Sequence, residues 1–348
     1  MNFNDLKASI LSQFEMPEGH KVVPFIVGQP GGGKSACARE ICKELQTKKN
    51  IPDERVVEFN PSLRDPVDIM GIPFKSEDGS HSEWLPPQEF YAIRAGQGPA
   101  VLILEELSDA GMNMQNPLCR VILDRYAGQM KLSEELYIIA TGNRVEDKSG
   151  ANRLSTKLGN RMRTLDFEAS VEDWMDWAYT HNISPIICSF IKFRPQLLNG
   201  FDPARSVNPT PRSWEDVNRI PTNLRDFVYF EHAKGAIGEG AATEFTSFIK
   251  TAQAMPDPEK ALKAPDKFKV PEKPDVLYAF VGAVEALVTE KNITQACAVA
   301  GRLSKEFTSI LLVGLYRKFR AIKKQGALVS NPAYQKWMQE TSMDYRGM

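Results

Sequence analysis

The stretch Gly28-Gln29-Pro30-Gly31-Gly32-Gly33-Lys34-Ser35 fits the pattern G-x-x-x-x-G-K-[ST] and is the most informative motif of the chain. An apolar, strand-like run at 22–27 precedes it, and a helix-forming run at 35–45 follows it. A glycine loop between a strand and a helix directs backbone N–H groups and the helix dipole at a phosphate. A plain Gly/Pro turn in this position would not need Lys-Ser at its end. The sequence therefore predicts a nucleoside triphosphate site.

Each part of this loop has a predicted role. Lys34 would reach the β- and γ-phosphates, which makes it a candidate catalytic residue as well as a binding residue. The Ser35 hydroxyl would ligate Mg²⁺. The eight residues of the motif, together with Ala36 in the first turn of the helix, form the predicted cofactor-binding set for ATP.

The composition is that of a soluble globular protein. The 348 residues are 25% charged and 42% hydrophobic, and this length suits two domains or one domain with a large appendage. A net charge of −1 lowers the expectation of a nucleic-acid or anionic-membrane partner. No apolar run is long enough to span a bilayer, and residues 1–6 lack the layout of a secretory signal. We therefore expect a cytoplasmic protein.

The cysteines support a reducing compartment. There are five, an odd number without C-x-x-C spacing, which argues against a disulfide framework and a zinc site. Each lies in an apolar, helix-like context, so buried thiols are expected at Cys37, Cys42, Cys119, Cys188 and Cys297.

Strands and helices alternate in the first half of the chain. The predicted strands after the first one are 55–60, 100–104, 136–141 and 163–168. The middle two are almost continuously apolar, which is typical of central strands in a parallel sheet that is covered on both faces. The pattern predicts a doubly wound α/β layer. Two hairpins interrupt it, one at 71–84 with Asp78-Gly79 at its tip and a shorter one at 128–135.

Helical periodicity replaces the strands from Val171 onward. We predict an α/β core at 1–170, a helical region at 171–255, a Pro/Lys-rich linker at 256–274 and a C-terminal helical block at 275–348. Trp174 and Trp177 have the spacing of one buried helix face. The basic end of the last block is expected to be a solvated helix face: Arg317, Lys318, Arg320, Lys323 and Lys324. The tail after about Lys324 shows no period and is expected to be mobile.

Three polar residues follow the two central strands. Glu105 and Glu106 come directly after the strand 100–104, and the strands of a parallel sheet end at the same edge as the glycine loop. Glu105 would support the metal, and Glu106 would deprotonate the attacking water. Asn143 ends the next strand and can bind both the γ-phosphate and that water. Two acids at a surface strand end, or an ordinary Gly-Asn turn, are the alternatives.

The order of these motifs resembles the AAA+ ATPases over residues 20–250. Besides the P-loop, the Glu-Glu strand and Thr141-Gly142-Asn143, the similar segments are 64–73, 158–162 and 210–214. The branch that the chain resembles most is the MoxR-like one, which includes dynein-related AAA domains of bacterial and phage genomes. The resemblance implies an AAA+ P-loop NTPase with a five-stranded parallel sheet core, an α-helical lid at 171–255 and a helical C-terminal extension.

The resemblance also implies an assembly. The chain would form a ring, a hexamer, with ATP and Mg²⁺ at each subunit boundary. Arg161 matches the arginine finger that reaches into a neighbour's site, with Arg163 as the reserve, and Arg212 matches the sensor-2 arginine of the lid. A surface salt bridge is the alternative for Arg161 and Arg212. The two hairpins would face the pore or the top of the ring.

Three functions fit such a ring. The leading one is ATP-driven remodelling or assembly of a protein complex, as in chaperone-like relatives that work beside a von Willebrand A domain partner in a bacterial or phage-infected cell. The alternatives are a nucleic-acid motor or NTP-dependent restriction subunit, and an ATP-switched scaffold with slow turnover. Glu105 departs from the family, which usually has Asp there, and its longer side chain would need a slightly different metal or water geometry. Hydrolysis should survive, because Glu106 keeps the base, but turnover could be slow.

Overall fold

A five-stranded parallel sheet forms the centre of the N-terminal half of the protein in this computed structural model. The structure describes residues 1–147, 152 and 154–341. The strands of the sheet follow the order β2-β5-β8-β1-β9, and two further pairs, β3-β4 and β6-β7, form separate hairpins. The strands are β1 (Val23–Val27), β2 (Val56–Phe59), β3 (Ile72–Lys75), β4 (Ser82–Leu85), β5 (Ala100–Leu104), β6 (Tyr126–Ala127), β7 (Met130–Lys131), β8 (Leu136–Gly142) and β9 (Met162–Asp166).

The apolar runs explain the position of the central strands. Every residue of β1, β5 and β8 is buried, whereas β2 and β9 at the two edges alternate or are partly exposed. Strands that are buried on both faces need helices on both sides. The predicted parallel α/β sheet of five strands is therefore confirmed.

Helices cover both faces of this sheet. On one face α1 and α2 pack against Ile26, Val101 and Ile139, and on the other α5 and α4 pack against Phe25, Leu102 and Ile138. Alternate residues of each strand therefore face opposite helical layers. The helices of this half are α1 (Phe3–Glu15), α2 (Lys34–Lys49), α3 (Val67–Met70), α4 (Gln88–Ala92), α5 (Met112–Asp124) and α6 (Thr156–Gly159).

Both predicted hairpins are present. In the first, Lys75 pairs with Ser82 and Ile72 with Leu85, so the tip lies at 76–81 and includes Asp78-Gly79 as expected. Ile72, Phe74 and Leu85 are exposed on it. The second hairpin begins two residues earlier than predicted, because β6 starts at Tyr126 and the turn lies at 128–129.

The chain divides into two compact units. The first unit comprises 1–169 with 201–204, and the second unit comprises 170–200 and the residues from 205 onward. The second unit is helical, with α7 (Val171–Thr180), α8 (Pro185–Phe193), α9 (Pro211–Asn218), α10 (Asp226–Ile237), α11 (Glu239–Ala252), α12 (Pro258–Lys263), α13 (Pro274–Leu287), α14 (Ile293–Ala300), α15 (Lys305–Ala321), α16 (Gln325–Val329) and α17 (Pro332–Thr341).

Apart from residues 201–204, which belong to the first unit, the predicted lid, linker and C-terminal block lie in this second unit. The linker segment 256–274 contains α12, whose Ala261 and Leu262 are buried in the core of the C-terminal helices. The expectation of a mobile tail is wrong for 325–341, because α16 and α17 bury Leu328, Tyr334 and Trp337. Residues 342–348 of the predicted block lie outside the described residues.

The basic end of α15 is only partly a solvated face. Lys323 and Lys324, which follow the helix, are exposed as predicted, but Arg317, Lys318 and Arg320 are partly buried. Lys318 donates to the backbone carbonyls of Glu285, Ala286 and Val288 at 2.7–2.9 Å, where α13 ends. Arg320 pairs with Asp176 of α7 at 2.5 Å, and Lys324 pairs with Glu290 at 2.6 Å. A helix C-terminus attracts cations because its last carbonyls lack helical partners. The charges therefore hold helices of this unit together.

The thiols are less uniformly buried than expected. All five cysteines are free and lie in helices, and Cys37, Cys42 and Cys188 are buried. Cys119 and Cys297 are partly exposed, so the prediction is wrong for these two. No described helix combines the length and the apolar character that crossing a bilayer would need.

Candidate active site

The glycine loop leads directly into α2, as the motif requires. α2 begins at Lys34, and its N-cap Gly33 has φ 100°, a left-handed conformation that favours glycine. At Gly28 a side chain is excluded, because a Cβ there would lie 2.5 Å from the backbone oxygen of Phe167. These two positions let the loop wrap around the N-terminus of a 16-residue helix. Such a loop at a helix N-terminus leaves backbone N–H groups without helical partners, which is the geometry that an anion site requires.

Lys34 connects this loop to the end of β8. Its Nζ donates to the carbonyl oxygens of Gly28 at 2.8 Å and Gln29 at 2.7 Å, and to Asn143 Oδ1 at 2.9 Å. The residue is only 9% exposed. β1 and β8 are adjacent parallel strands, so the loop after one and the amide after the other meet at the same edge. The structure therefore brings two predicted site residues together that are 109 positions apart.

Asn143 is held by two residues that the sequence analysis missed. Its backbone N–H donates to Ser108 Oγ at 2.8 Å, and its Nδ2 donates to Asp109 Oδ2 at 3.4 Å. Ser108 Oγ in turn donates to Asp109 Oδ1 at 2.7 Å. The only sequence signal was their position just after the Glu-Glu pair. These contacts fix the orientation of the Asn143 amide.

Glu106 lies at the same edge in an unusual backbone conformation. Its φ is 51°, and its N–H donates to Thr141 Oγ1 at 3.3 Å. The exposed carboxylate accepts a hydrogen bond from Asn60 Nδ2 at 2.9 Å. Asn60 follows β2 just as Glu106 follows β5, and that shared placement was the signal that could have found it. Asn60 thus orients the candidate base.

The side chain of Glu105 lies on the face of the sheet opposite to that of Glu106, next to α2. Its Oε1 accepts a hydrogen bond from Arg39 Nη2 of α2 at 2.6 Å, and its side chain is 18% exposed. Arg39 Nε also donates to both carboxylate oxygens of Glu58, each at 3.0 Å. Hydrogen bonding to Glu58 and then the charge of Glu105 raise the pKa of Arg39. This bridge was not predicted from the sequence.

A cavity of about 540 Å³ opens beside Asn143. Asn143 is the one predicted site residue that lines it, and no residue of the glycine loop does. The cavity therefore lies beside the predicted phosphate site and not within it. Burial raises the pKa of Asp147, and Asp147 Oδ2 has no hydrogen-bond partner among the described residues. The other lining residues that the structure describes are Phe25, Val27, Ser108, Arg144, Val145, Glu146, Asn152, Leu154, Thr164 and Asp166.

The oxygen donors at this edge fit Mg²⁺. The described residues contain no group of three or more His, Cys, Asp and Glu side chains that could hold a metal by themselves. Mg²⁺ in nucleotide sites takes one or two protein oxygens, with phosphate and water supplying the rest. The Ser35 hydroxyl on the first turn of α2 and the carboxylate of Glu105 are such donors.

The predicted arginines lie in three different places. Arg161 is exposed directly after α6, and it has no ion pair with any residue that the structure describes. Arg163 lies on β9 and donates to Gln13 Oε1 at 2.9 Å. Arg212 is exposed in the first turn of α9, in the second unit, where Thr210 and Ser213 form a capping box. The roles predicted for Arg161 and Arg212 stay predictions.

Comparison with known proteins agrees with this geometry. Residues 24–162 match the family model described as AAA domain (dynein-related subfamily), a segment that includes the P-loop, Glu105, Glu106, Asn143 and Arg161. No curated protein matches the chain.

Two solved structures illustrate how distant the structural likenesses are. NtrX from Brucella abortus in complex with ADP is 15% identical, with a TM-score of 0.36 over 98% of this chain and 68% of that chain. A RuvB mutant from Thermotoga maritima is 14% identical, with a TM-score of 0.40 over 81% of each chain. Likenesses this distant add nothing to the assignment, which rests on the family match and the sheet. Residues 24–162 thus resemble the AAA domain of the dynein-related subfamily, on the fold of an AAA+ P-loop NTPase.

Proposed function

We propose that this protein hydrolyses ATP at the edge of the sheet in the first unit. The observation that carries the proposal is the contact of Lys34 Nζ with Asn143 Oδ1 at 2.9 Å, beside the glycine loop and one strand away from Glu106. A phosphate-binding loop, a polar amide and a carboxylate at adjacent strand ends are the parts that phosphoryl transfer to water needs.

The roles of the residues follow from their positions. Backbone N–H groups at the start of α2 and Lys34 bind the phosphates, and Asn143 orients the attacking water. Glu106 accepts a proton from that water as its oxygen attacks the γ-phosphorus, and the bond to the β–γ bridging oxygen breaks to release ADP and phosphate. Ser35 and Glu105 would hold Mg²⁺, which would supply positive charge to offset the negative charge of the phosphates.

The proposal extends to a MoxR-like ring, a hexamer, that remodels or assembles a protein complex. The exposed Arg161 supports this, because a finger for a neighbour's site must project from its own subunit. The MoxR-like branch, a bacterial or phage-infected cytoplasm, a von Willebrand A domain partner and a lid that senses nucleotide through Arg212 belong to the same proposal. The pairing of Lys318, Arg320 and Lys324 inside the second unit weighs against a nucleic-acid motor.

Nucleotide binding and hydrolysis are measured separately to test the site. Glu106→Gln should lower hydrolysis about 100-fold or more while ATP still binds, because the base is lost and the phosphate loop is not. Lys34→Ala should lose ATP binding itself. Glu77→Gln, an exposed carboxylate in the tip of the first hairpin, is the matched control and should leave both unchanged. A Glu106→Gln protein that turns over ATP at the wild-type rate would overturn the assignment.

Mixing two inactive variants tests the finger. Arg161→Ala and Glu106→Gln subunits should each be inactive alone. A mixed ring contains interfaces with an intact base on one side and an intact Arg161 on the other, so mixing should restore part of the ATPase activity. Mixed rings without activity would rule out Arg161 as a finger that acts between subunits. Stimulation of turnover by single-stranded nucleic acid, lost as salt rises, would favour the motor instead.

A further inference from the structure

Arg39 lies one helical turn after Ser35 on the same side of α2. From there its guanidinium bridges two carboxylates. Nε donates to both oxygens of Glu58 at 3.0 Å, and Nη2 lies 2.6 Å from Glu105 Oε1 and 2.9 Å from Glu58 Oε2. A planar fork of donors suits such a bridge better than a lysine ammonium does.

The sheet determines which carboxylates Arg39 meets. Val101 and Ile103 of β5 pack in the core beneath α2, so Glu105, two residues further along, faces the same layer. β2 is paired with β5, and its Val56 also packs on that side, which places Glu58 two residues later on the face of α2. Glu106, one residue after Glu105, turns away to Asn60. The two adjacent acids therefore have separate partners.

We propose that Arg39 is a positioning residue that holds Glu105 and competes with Mg²⁺ for its carboxylate. The inference rests on the proposed function, since it concerns the metal of that same site. A carboxylate that is paired with a guanidinium attracts a nearby cation less, because the two opposite charges partly cancel. Glu58 moderates the competition, since it shares the same guanidinium and draws part of its charge away from Glu105.

Neutralising Arg39 and neutralising Glu58 should change Mg²⁺ binding in opposite directions. Arg39→Gln removes a positive charge beside the metal donors, so Mg²⁺ should bind more tightly. Glu58→Gln leaves Arg39 with Glu105 as its one charged partner in the bridge, so Mg²⁺ should bind more weakly. A bridge that only stabilised the fold would change the unfolding free energy in both variants, but it would not move the Mg²⁺ requirement in opposite directions.

The test is the Mg²⁺ concentration that gives half-maximal binding of a fluorescent ATP analogue to the full-length protein at low salt. Arg39→Gln should lower this concentration about fivefold and Glu58→Gln should raise it about twofold, with both shifts shrinking as ionic strength rises. Arg39→Lys keeps the charge and should stay within about twofold of wild type. Circular dichroism verifies that each variant is folded.

Lys7→Gln is the matched control. Lys7 of α1 also bridges two carboxylates of α2, Glu44 at 2.7 Å and Glu40 at 3.5 Å, but it is not in contact with Glu105. Its loss should leave the Mg²⁺ requirement unchanged. Equal shifts in Lys7→Gln and Arg39→Gln, no shift in Arg39→Gln, or shifts of one sign in Arg39→Gln and Glu58→Gln would each overturn the inference alone. Wild-type protein that binds no nucleotide at any Mg²⁺ concentration would overturn the proposed function and this inference with it.

Discussion

Each of the two units contains a polar cluster of lysine and glutamate side chains, and the two clusters differ in their access to solvent. In the first unit Lys34, Glu105, Glu106 and Asn143 lie at the open edge of a sheet, with Glu106 exposed. In the second unit Glu285 is buried and accepts hydrogen bonds from Lys192 at 2.7 Å and from the Tyr179 hydroxyl at 2.5 Å. The carboxylate of the closed cluster is fully partnered by its own chain. The carboxylates at the sheet edge lie where a ligand can reach them.

The protonation states of the closed cluster support this contrast. Burial and the neighbouring Glu285 hold the pKa of Tyr179 well above its ordinary range. Burial also raises the pKa of the Cys188 thiol to about 12. Neither group titrates near neutral pH, so the cluster is a fixed link between α7, α8 and α13. Breaking it should therefore affect stability and leave the chemistry of the first unit unchanged.

The largest expected effect is on this closed cluster. Glu285→Ala leaves the Lys192 ammonium buried without its carboxylate, and we expect a loss of about 3–5 kcal/mol in the unfolding free energy of the second unit. Chemical denaturation followed by tryptophan emission measures it, because Trp174, Trp177, Trp214 and Trp337 all lie in this unit. Glu340→Ala, which removes an exposed pair with Lys336 on α17, should leave the midpoint unchanged. Equal denaturation midpoints for Glu285→Ala and Glu340→Ala would contradict the structural role of the closed cluster.

A smaller effect is expected at the open edge. Asn60→Ala removes the amide that orients Glu106, and we expect hydrolysis to fall about tenfold, the effect of one hydrogen bond to a charged group. ATP affinity should be unchanged, since Asn60 is not part of the phosphate loop. Asn218→Ala is the counterpart in the second unit, where Asn218 Oδ1 accepts from the Ser184 N–H at 2.7 Å. The Asn218→Ala variant should lose stability and keep the ATPase rate. A loss of ATPase rate in both Asn60→Ala and Asn218→Ala would contradict the assignment of catalysis to the first unit.

The smallest effect concerns pH. Burial, and then the charge of Arg125, lower the pKa of His20, with Lys21 acting in the same direction and Glu135 and Glu18 against it. Below the ordinary histidine pKa of about 6.5 the unfolded chain binds the proton more readily than the native protein. The first unit should therefore lose stability as the pH falls from about 7 toward the lowered pKa. Thermal unfolding at pH 7 and pH 5.5 should show this slope in wild type and a flatter one in His20→Gln. A His20→Gln slope as steep as that of wild type would show that other groups cause it.

Prediction from the sequence worked where the signal is local. The five strands and the first hairpin were predicted within two residues, and the helix after the glycine loop begins one residue earlier and ends four residues later than predicted, because apolar runs and turn residues act over a few positions. The tail and the surroundings of Lys318 and Arg320 were predicted wrongly for the opposite reason. Tyr334 and Trp337 are buried by helices far away in the chain, and Lys318 meets the end of α13 about 30 residues upstream. No short-range pattern contains that information.

The candidate site divides in the same way. The glycine loop, Lys34, Ser35 and the polar residues after β5 and β8 could be found from the sequence, because each chemical role requires a residue type at a fixed position after a strand. The contact of Asn60 with Glu106 and the bridge of Arg39 to Glu58 and Glu105 are visible only in the folded structure. Those contacts depend on β2 being the neighbour of β5 and on which face each side chain takes. Strand order is set by the packing of whole layers, which motif spacing does not record.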